Sequence, residues 1–226
     1  MKTTIKTLCL LFIFSFFLSS CGKKTAPAPS PTPTPRAFTL ENQDIPYVKL
    51  TPSLDGHWLY LEFKNLSKNF SKIDYELIYS AIDNGNEIEK GLAGTIEQSE
   101  LNSSVKKDLL LGTQSCTNGC KYKYDSGVVG GVITLTIANK SSQVATVEYP
   151  FVLQTGSKIK QSGISYNLDN LIIKANTSGN DSYLLIKNPQ SYSIFSSSNQ
   201  NSKWTDISPK SVTKSTESFL GDYQFE

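Results

Sequence analysis

The sequence predicts an all-β fold, an antiparallel sandwich, and two observations carry that prediction. Apolar and polar residues alternate with a period of two along residues 57–64, 73–79, 133–137 and 147–153, which is the spacing of strands with one buried face. Pairs typical of tight hairpin turns, Asp55-Gly56 and Asn84-Gly85, interrupt such runs, and Gly130-Gly131 is a third candidate turn. Beyond residue 20 no stretch has convincing helical periodicity.

The first 20 residues have the pattern of an export signal. Lys2 and Lys6 precede an apolar run from Leu8 to Leu18 that only Cys9 and Ser15 interrupt. A membrane-spanning helix needs about 20 apolar residues, whereas the apolar part of a signal peptide needs about 7–15. The sequence therefore predicts a cleaved signal over residues 1–20.

The residues that end this segment are Leu18-Ser19-Ser20-Cys21. They resemble the lipobox of bacterial lipoproteins, in which the cysteine becomes a lipid-modified first residue. The resemblance implies that Cys21 carries acyl chains and holds the protein on the extracytoplasmic face of the cell membrane, or of the outer membrane if the bacterium has one. Two chains hold firmly where one holds marginally. The alternative is an ordinary secretory signal with an incidental cysteine.

Residues 21–36 form the predicted tether. From Pro27 to Pro35 every second residue is a proline, and each proline favours an extended conformation for itself and for the residue before it. In polyproline II geometry the stretch reaches about 30 Å. The alternative is a proline-rich ligand for a partner domain.

Residues 37–154 are predicted to form the main sandwich. The segment from Lys72 to Ile96, strand, tight turn and returning strand, is similar to the middle hairpin of fibronectin type III or immunoglobulin-like modules, which implies an immunoglobulin-like sandwich. The Asp83–Glu89 stretch is rich in oxygen ligands, but its spacing does not fit an EF-hand. We therefore predict no metal site there.

Two cysteines remain after Cys9 is removed and Cys21 is modified. Cys116 and Cys120 flank Thr117-Asn118-Gly119, a sequence that permits a tight reversal, and an exported chain meets oxidising conditions. We expect a structural disulfide worth about 2 kcal/mol in the chain-entropy model. A zinc site, a redox pair and two free thiols are the alternatives.

Residues 155–226 are predicted to be a smaller C-terminal β module or extra strands of the same sandwich. Apolar runs at 171–174, 183–187 and 192–195 indicate strands. The segment from Ser197 to Trp204 is similar to the Asp-box of sialidase-type β proteins, with Asn199 and Asn201 replacing its aspartate and glycine. The resemblance implies a non-catalytic hairpin turn whose tryptophan packs inward.

Charge and composition narrow the function. The formal net charge of +2 falls to zero once residues 1–20, with Lys2 and Lys6, are removed. A neutral chain has no field to attract nucleic acid, so we expect no nucleic-acid partner. His57 is the single histidine, and no catalytic motif is present; we expect no catalytic residue, no cofactor and no enzymatic activity.

Binding is the function that these observations favour. Trp58 and Tyr60 lie opposite Leu59 and Leu61 on the predicted strand, so they are candidate ligand-binding aromatics. We expect a membrane-anchored structural or adhesive module with a surface glycan or protein as partner. The alternatives are a carbohydrate- or peptide-binding accessory subunit and a lipid-anchored hydrolase. For Trp58, the competing interpretation is that it packs under the C-terminal segment.

Overall fold

The computed structural model describes residues 36–101, 104–198 and 202–225. Residues 35–226 group into one compact unit. The predicted signal, Cys21 and most of the proline-rich tether lie outside the described residues.

Antiparallel β-strands dominate the described chain because period-two alternation recurs along it. The strands are β1 (Arg36–Ala37), β2 (Tyr47–Pro52), β3 (Trp58–Lys64), β4 (Phe70–Asp83), β5 (Asn86–Glu97), β6 (Val105–Leu110), β7 (Gly112–Ser115), β8 (Lys121–Tyr124), β9 (Gly130–Asn139), β10 (Gln143–Thr155), β11 (Ile164–Tyr166), β12 (Leu171–Ala175), β13 (Ser182–Asn188), β14 (Ser191–Ser196), β15 (Trp204–Ser208), β16 (Val212–Thr213) and β17 (Gly221–Phe225). The described residues also include a short α-helix after β10, α1 (Gly156–Ser162), and two 3-10 helices, Asn42–Asp44 and Asn167–Asp169.

A long sheet forms the centre of the fold. Its strand order is β16-β17-β14-β13-β10-β9-β4-β5, and β1 adds a parallel pairing to the start of β10. Two three-stranded sheets, β2-β3-β6 and β11-β12-β15, and the β7–β8 hairpin complete the fold. The all-β class and the antiparallel sandwich predicted from the sequence are confirmed.

The first hydrophobic core lies between the long sheet and the β2-β3-β6 sheet. On β3 the alternate residues Leu59, Leu61 and Phe63 point into it, and on β4 so do Ile73 and Leu77. Side chains from β9, β10 and β13 close the core from the long sheet, including Ile133, Leu135, Tyr149, Leu184 and Ile186.

The second core lies on the opposite face of β13. Tyr183 and Leu185 belong to the second core, whereas their neighbours Leu184 and Ile186 belong to the first. Because side chains alternate between the two faces of a strand, the β11-β12-β15 sheet must cover the face that β2-β3-β6 leaves open. The predicted boundary at residues 154 and 155 falls at the end of β10, a strand that pairs with both β9 and β13.

The β4–β5 hairpin contains the predicted Lys72–Ile96 strands and the Asn84-Gly85 turn. Its resemblance to immunoglobulin-like modules stays an interpretation of pattern. The turn predicted at Gly130-Gly131 is wrong, since both glycines lie in β9. A methyl group at Gly130 would overlap the backbone carbonyl of Phe151, and one at Gly131 that of Ile78, so glycine serves close strand approach here.

Two further differences concern the C-terminal segment. The sequence gives no helical signal near Thr155-Gly156, yet α1 begins there and buries only Gly156 and Ile159. The Asp-box-like segment is flanked by β14 and β15, which lie in different sheets. Residues 199–201 within it lie outside the described residues, so the expected hairpin turn stays a prediction.

Candidate functional site

Five rings line one end of the molecule, and we call them the aromatic strip. They are His57, Trp58, Tyr60, Tyr122 and Tyr124. The candidate ligand-binding residues Trp58 and Tyr60 lie two positions apart on β3 and so share its outward face. Tyr60, Tyr122 and Tyr124 are 45%, 43% and 42% exposed, and Trp58 is half-buried.

Four of the five rings contact one another in preferred geometries. The centroids of Trp58 and Tyr122 are 5.7 Å apart with the planes at 69°, an edge-to-face contact. Tyr122 and Tyr124 are parallel within 4° at 6.1 Å, and His57 stacks on Tyr124 at 4.2 Å. Edge-to-face and stacked pairs of this kind each contribute about 0.5–1.5 kcal/mol beyond the area they bury. Mutual contact therefore holds the rings in place although they face solvent.

A tight turn fixes the start of β3 and with it His57 and Trp58. The Asp55 carboxylate accepts hydrogen bonds from the Ser53 hydroxyl and from the backbone N–H of His57, the latter at 3.1 Å. The backbone N–H of Trp58 donates to the Ser53 hydroxyl at 2.9 Å. The hydrogen bond from the Ser53 hydroxyl, and after it the one from the His57 N–H, lowers the pKa of the Asp55 carboxyl.

The β7–β8 hairpin supplies Tyr122 and Tyr124. Cys116 and Cys120 are joined in a disulfide across its tip, in keeping with the predicted pairing. Residues 113–124 are exposed throughout, so β8 has no buried face, unlike the strand with one wet face that its Lys-Tyr-Lys-Tyr sequence suggests. A two-stranded hairpin without apolar burial is at best marginally stable in water. The disulfide and the ring contacts with β3 therefore supply its order.

The base of the hairpin is tied to the body of the protein. The backbone N–H of Leu111 donates to His57 O at 2.9 Å, and that of Asp125 donates to Leu111 O at 3.0 Å. A side chain on Gly112 would overlap the carbonyl oxygen of Lys123, so only glycine lets β8 approach this closely.

Behind the strip, the Asp125 carboxylate is 6% exposed and forms an ion pair with Lys90 of β5. The Tyr79 hydroxyl donates to the same carboxylate at 2.8 Å. Burial raises the pKa of Tyr79, and the hydrogen bond to the Asp125 carboxylate raises it further. A buried carboxylate with two partners is costly to expose or to leave unpaired. This network therefore anchors the hairpin to the long sheet.

The aromatic strip lies far from the point where the chain enters the described fold. Arg36 and Ala37 pair with Gln143 and Val144 at the start of β10. The turn before β3 lies at the other end, where the Ser182 hydroxyl donates to Leu54 O at 3.2 Å and Ser182 pairs with Thr155, the last residue of β10. A strand of this length spans about 40 Å. That distance separates Arg36 from the turn before β3.

A cavity of about 210 Å³ beside His57 tests the hydrolase alternative. It is lined by residues including Asp55, His57, Asp125, Ser126 and Ser182. The Ser126 hydroxyl donates to Ile82 O at 2.9 Å and the Ser182 hydroxyl to Leu54 O. Both carboxylates hold the structural contacts described above. The hydroxyls and carboxylates of this cavity are therefore engaged in structural contacts, whereas the side-chain oxygen of Gln154, which also lines it, is buried without a hydrogen-bond partner.

Sequence reasoning identified Trp58 and Tyr60 but not the partners that complete the strip. The alternation in Lys121-Tyr122-Lys123-Tyr124 was a usable signal, since it places both tyrosines on one face. The competing interpretation of Trp58 was that it packs under the C-terminal segment. Its ring neighbour in the structure is Tyr122 of the β7–β8 hairpin. Trp204 is also half-buried, and its indole N–H donates to Thr216 O at 2.7 Å.

Comparison of the chain with protein-family models, with curated proteins and with solved structures finds no match. Within residues 36–101, 104–198 and 202–225, no three or more His, Cys, Asp or Glu side chains are grouped so that they could hold a metal ion. No helix in that part of the chain is long and apolar enough to cross a membrane.

Proposed function

We propose that this chain is a lipid-anchored extracytoplasmic protein that presents its β-sandwich as an adhesive module and binds a neutral glycan on the aromatic strip. The observation that carries the proposal is the strip itself: four rings that contact one another in a chain, with Tyr60 beside Trp58 on the same face of β3, and three of the five rings more than 40% exposed. A protein normally buries such rings, and large exposed aromatic patches mark binding surfaces.

The chemistry around the strip supports a glycan. Sugar rings have apolar faces that stack on aromatic side chains and hydroxyl edges that need hydrogen-bond partners. On β6 and β2, Asp108 and Thr51 flank Tyr60 as its cross-strand neighbours, and the tyrosine hydroxyls add donors and acceptors. The mature chain carries 20 basic and 20 acidic side chains, which gives no preference for a charged ligand.

The location of the strip suits a protein fixed by its N-terminus. A module held at Cys21 would meet its ligand most readily at the end of the sandwich away from residue 36. The strip lies about one full strand length, about 40 Å, from that residue. The predicted tether would add to this reach.

A glycan array tests the binding proposal. The probe is the non-lipidated mature chain, residues 21–226 with Cys21→Ala. We expect saturable binding that falls at least about tenfold in Trp58→Ala and in Tyr122→Ala, since truncating a central aromatic side chain of an interface costs about 2 kcal/mol or more. Phe225→Ala is the matched control, because Phe225 is 43% exposed on β17 but does not belong to the strip. Equal binding by all variants would refute the assignment, and strip-dependent capture of a protein without any glycan would replace the ligand class.

The lipid anchor is tested separately in the bacterium. Metabolic labelling with a palmitate analogue should mark the wild-type protein and spare Cys21→Ala, because only the thiol of residue 21 follows the lipobox-like sequence. Equal labelling of the two proteins would show that residue 21 is not the acylation site.

A further inference from the structure

We infer that the free edge of β5 accepts an extended, basic segment of a partner protein as an additional strand of the long sheet. This surface is separate from the aromatic strip and does not depend on the function proposed above. Main-chain pairing with an exposed sheet edge is a common mode of peptide recognition.

The register of the β4–β5 hairpin decides which backbone groups face the free edge. Asn84 and Gly85, with φ of 49° and 81°, form its two-residue turn, so Asp83 and Asn86 are the first hydrogen-bonded pair. Hydrogen-bonded and non-hydrogen-bonded pairs then alternate. The residues whose N–H and C=O point away from β4 are consequently Glu87, Glu89, Gly91, Ala93, Thr95 and Glu97.

Two hydrogen bonds confirm this alternation. Ile82, the partner of Glu87, donates its N–H away from β5 to Ser126 O at 2.8 Å. At the far end, the N–H of Glu97 points away from β4 and donates to a carboxylate oxygen of Glu100 at 3.2 Å. The open run of backbone groups therefore extends from Glu87 to Thr95.

β5 offers this run without obstruction. In the described part of the chain, β4 is the strand that pairs with β5, and no other strand does so. Ile96 is the one fully buried residue of β5. Gly91, Ala93 and Gly94 at its centre carry little or no side chain, so another backbone can approach closely.

The charge of the adjoining face decides the kind of segment that fits. Over β5, β4, β9 and β10, the side chains opposite the first core include six carboxylates and one lysine: Asp74, Glu76, Glu87, Glu89, Glu97, Glu148 and Lys72. The lysine is 2.7 Å from Asp74 in an ion pair. An added strand would place alternate side chains on this face, where basic residues are favoured and acidic ones opposed.

A shallow depression on this face provides room for those side chains. Its volume is about 430 Å³, and Asp74, Glu76, Ala93, Thr95, Thr134 and Thr136 are among its lining residues. The lining contains two carboxylates, those of Asp74 and Glu76, together with small residues, which suits an ammonium or guanidinium group. A second copy of β5 would bring another acidic face instead, so self-pairing is disfavoured.

The test uses the non-lipidated mature chain and a synthetic nine-residue peptide of alternating lysine and threonine, with a glutamate–threonine peptide as the charge control. We expect saturable calorimetric binding of the lysine peptide only. Ala93→Pro removes one outward N–H without removing a bond to β4, and it should weaken binding about tenfold or more, since the proline also bars close pairing. Ala93→Val keeps the N–H and should bind within about threefold of the wild type, as β-branched residues suit strands.

Thermal unfolding of each variant shows whether β5 stays folded, and Trp58→Ala should leave peptide affinity unchanged because it alters only the aromatic strip. If Ala93→Pro folds and binds as tightly as Ala93→Val, the peptide adheres by charge alone and strand addition is wrong. Absence of binding to the wild type also overturns the proposal, as does a wild-type dimer in sedimentation that Ala93→Pro abolishes. Should Ala93→Pro fail to fold, Glu87→Gln with Glu89→Gln replaces it; unchanged affinity in that variant would show that the carboxylates beside the edge do not select a basic segment and would also overturn the proposal.

Discussion

β5 and β13 belong to the same sheet but have opposite surroundings. Tyr183, Leu184, Leu185 and Ile186 of β13 are each at most 1% exposed, because the two cores lie on its two faces. On β5, by contrast, only Ile96 is fully buried, and no strand of the described residues pairs with its second edge. We call β5 together with the β7–β8 hairpin the open side.

The sequences of β13 and β5 differ in the same way. Tyr183-Leu184-Leu185-Ile186 is a continuous apolar run, typical of a strand covered on both faces, whereas residues 86–90 of β5 include a single apolar residue, Ile88. Both surfaces proposed for binding include the open side: β5 provides the free edge, and the β7–β8 hairpin provides Tyr122 and Tyr124 of the aromatic strip. In this molecule, β13 contributes stability, and the elements that bury least remain available for partners.

The largest expected effect on stability comes from truncating one leucine to alanine on β13 and one on β5. Leu185→Ala should lower the free energy of unfolding by about 2–5 kcal/mol, since a fully buried leucine leaves a cavity. Leu92→Ala on β5 should cost about 1 kcal/mol, because Leu92 is only half-buried and its site stays in contact with water. Urea unfolding measures both. Equal losses in the two variants would contradict the contrast between β13 and β5.

An intermediate and local effect is expected from the disulfide. Cys116→Ser with Cys120→Ser should remove about 2 kcal/mol of restraint from the hairpin, while the midpoint of global urea unfolding changes little because residues 113–124 bury almost nothing. Hydrogen exchange should accelerate in residues 113–123 and not in β13. Alkylation of the native wild type should find neither thiol free, and reaction of both without reductant would refute the bond.

The smallest expected effect is on the pH dependence of stability and involves an ion pair made by β13. Lys187 of β13 lies 2.8 Å from the Asp169 carboxylate, and the Tyr192 hydroxyl donates to it. These contacts, Lys187 first, lower the pKa of Asp169. A lowered folded-state pKa means that the stabilisation is complete above the unfolded value of about 4 and is lost as pH falls through the folded value.

Urea unfolding at pH 7 and pH 3 should therefore show a smaller loss of stability in Asp169→Asn than in the wild type. The difference should be about 1 kcal/mol or less, since a third of each side chain is exposed. Lys187→Met should show the same reduced loss. An unchanged pH dependence in both variants would exclude this pair as a source of acid sensitivity.

The strands were predictable because alternation is local. Residues 57–64, 73–79 and 133–137 were identified within a few positions of β3, β4 and β9, and the Asn84-Gly85 turn was identified from its dipeptide alone. Gly130-Gly131 was misassigned because a glycine pair can signal either a turn or close strand approach. Only the neighbouring backbones, Ile78 and Phe151, distinguish the two.

The candidate sites were predictable only in part. Trp58 and Tyr60 could be named from one strand, but Tyr122, the ring neighbour of Trp58, is more than sixty residues away and belongs to a hairpin that buries almost nothing. The alternation of residue types along a single strand carries no information about that contact. The open edge of β5 likewise depends on which strand is last in the sheet, a property of the whole topology.

The pairing of β1 with β10 has a mechanical consequence for a chain held at Cys21. Tension between that cysteine and a ligand on the aromatic strip would run along β10, so the strands would be loaded in shear rather than peeled apart. β1 contributes two residue pairs and one bond from Phe38 N to Val144 O at 3.0 Å, and it would yield first. Residues 37–46 would then extend by about 30 Å before β2 bears load. Single-molecule pulling from residue 21 would record this as an early, short step, and the sandwich behind it would stay intact.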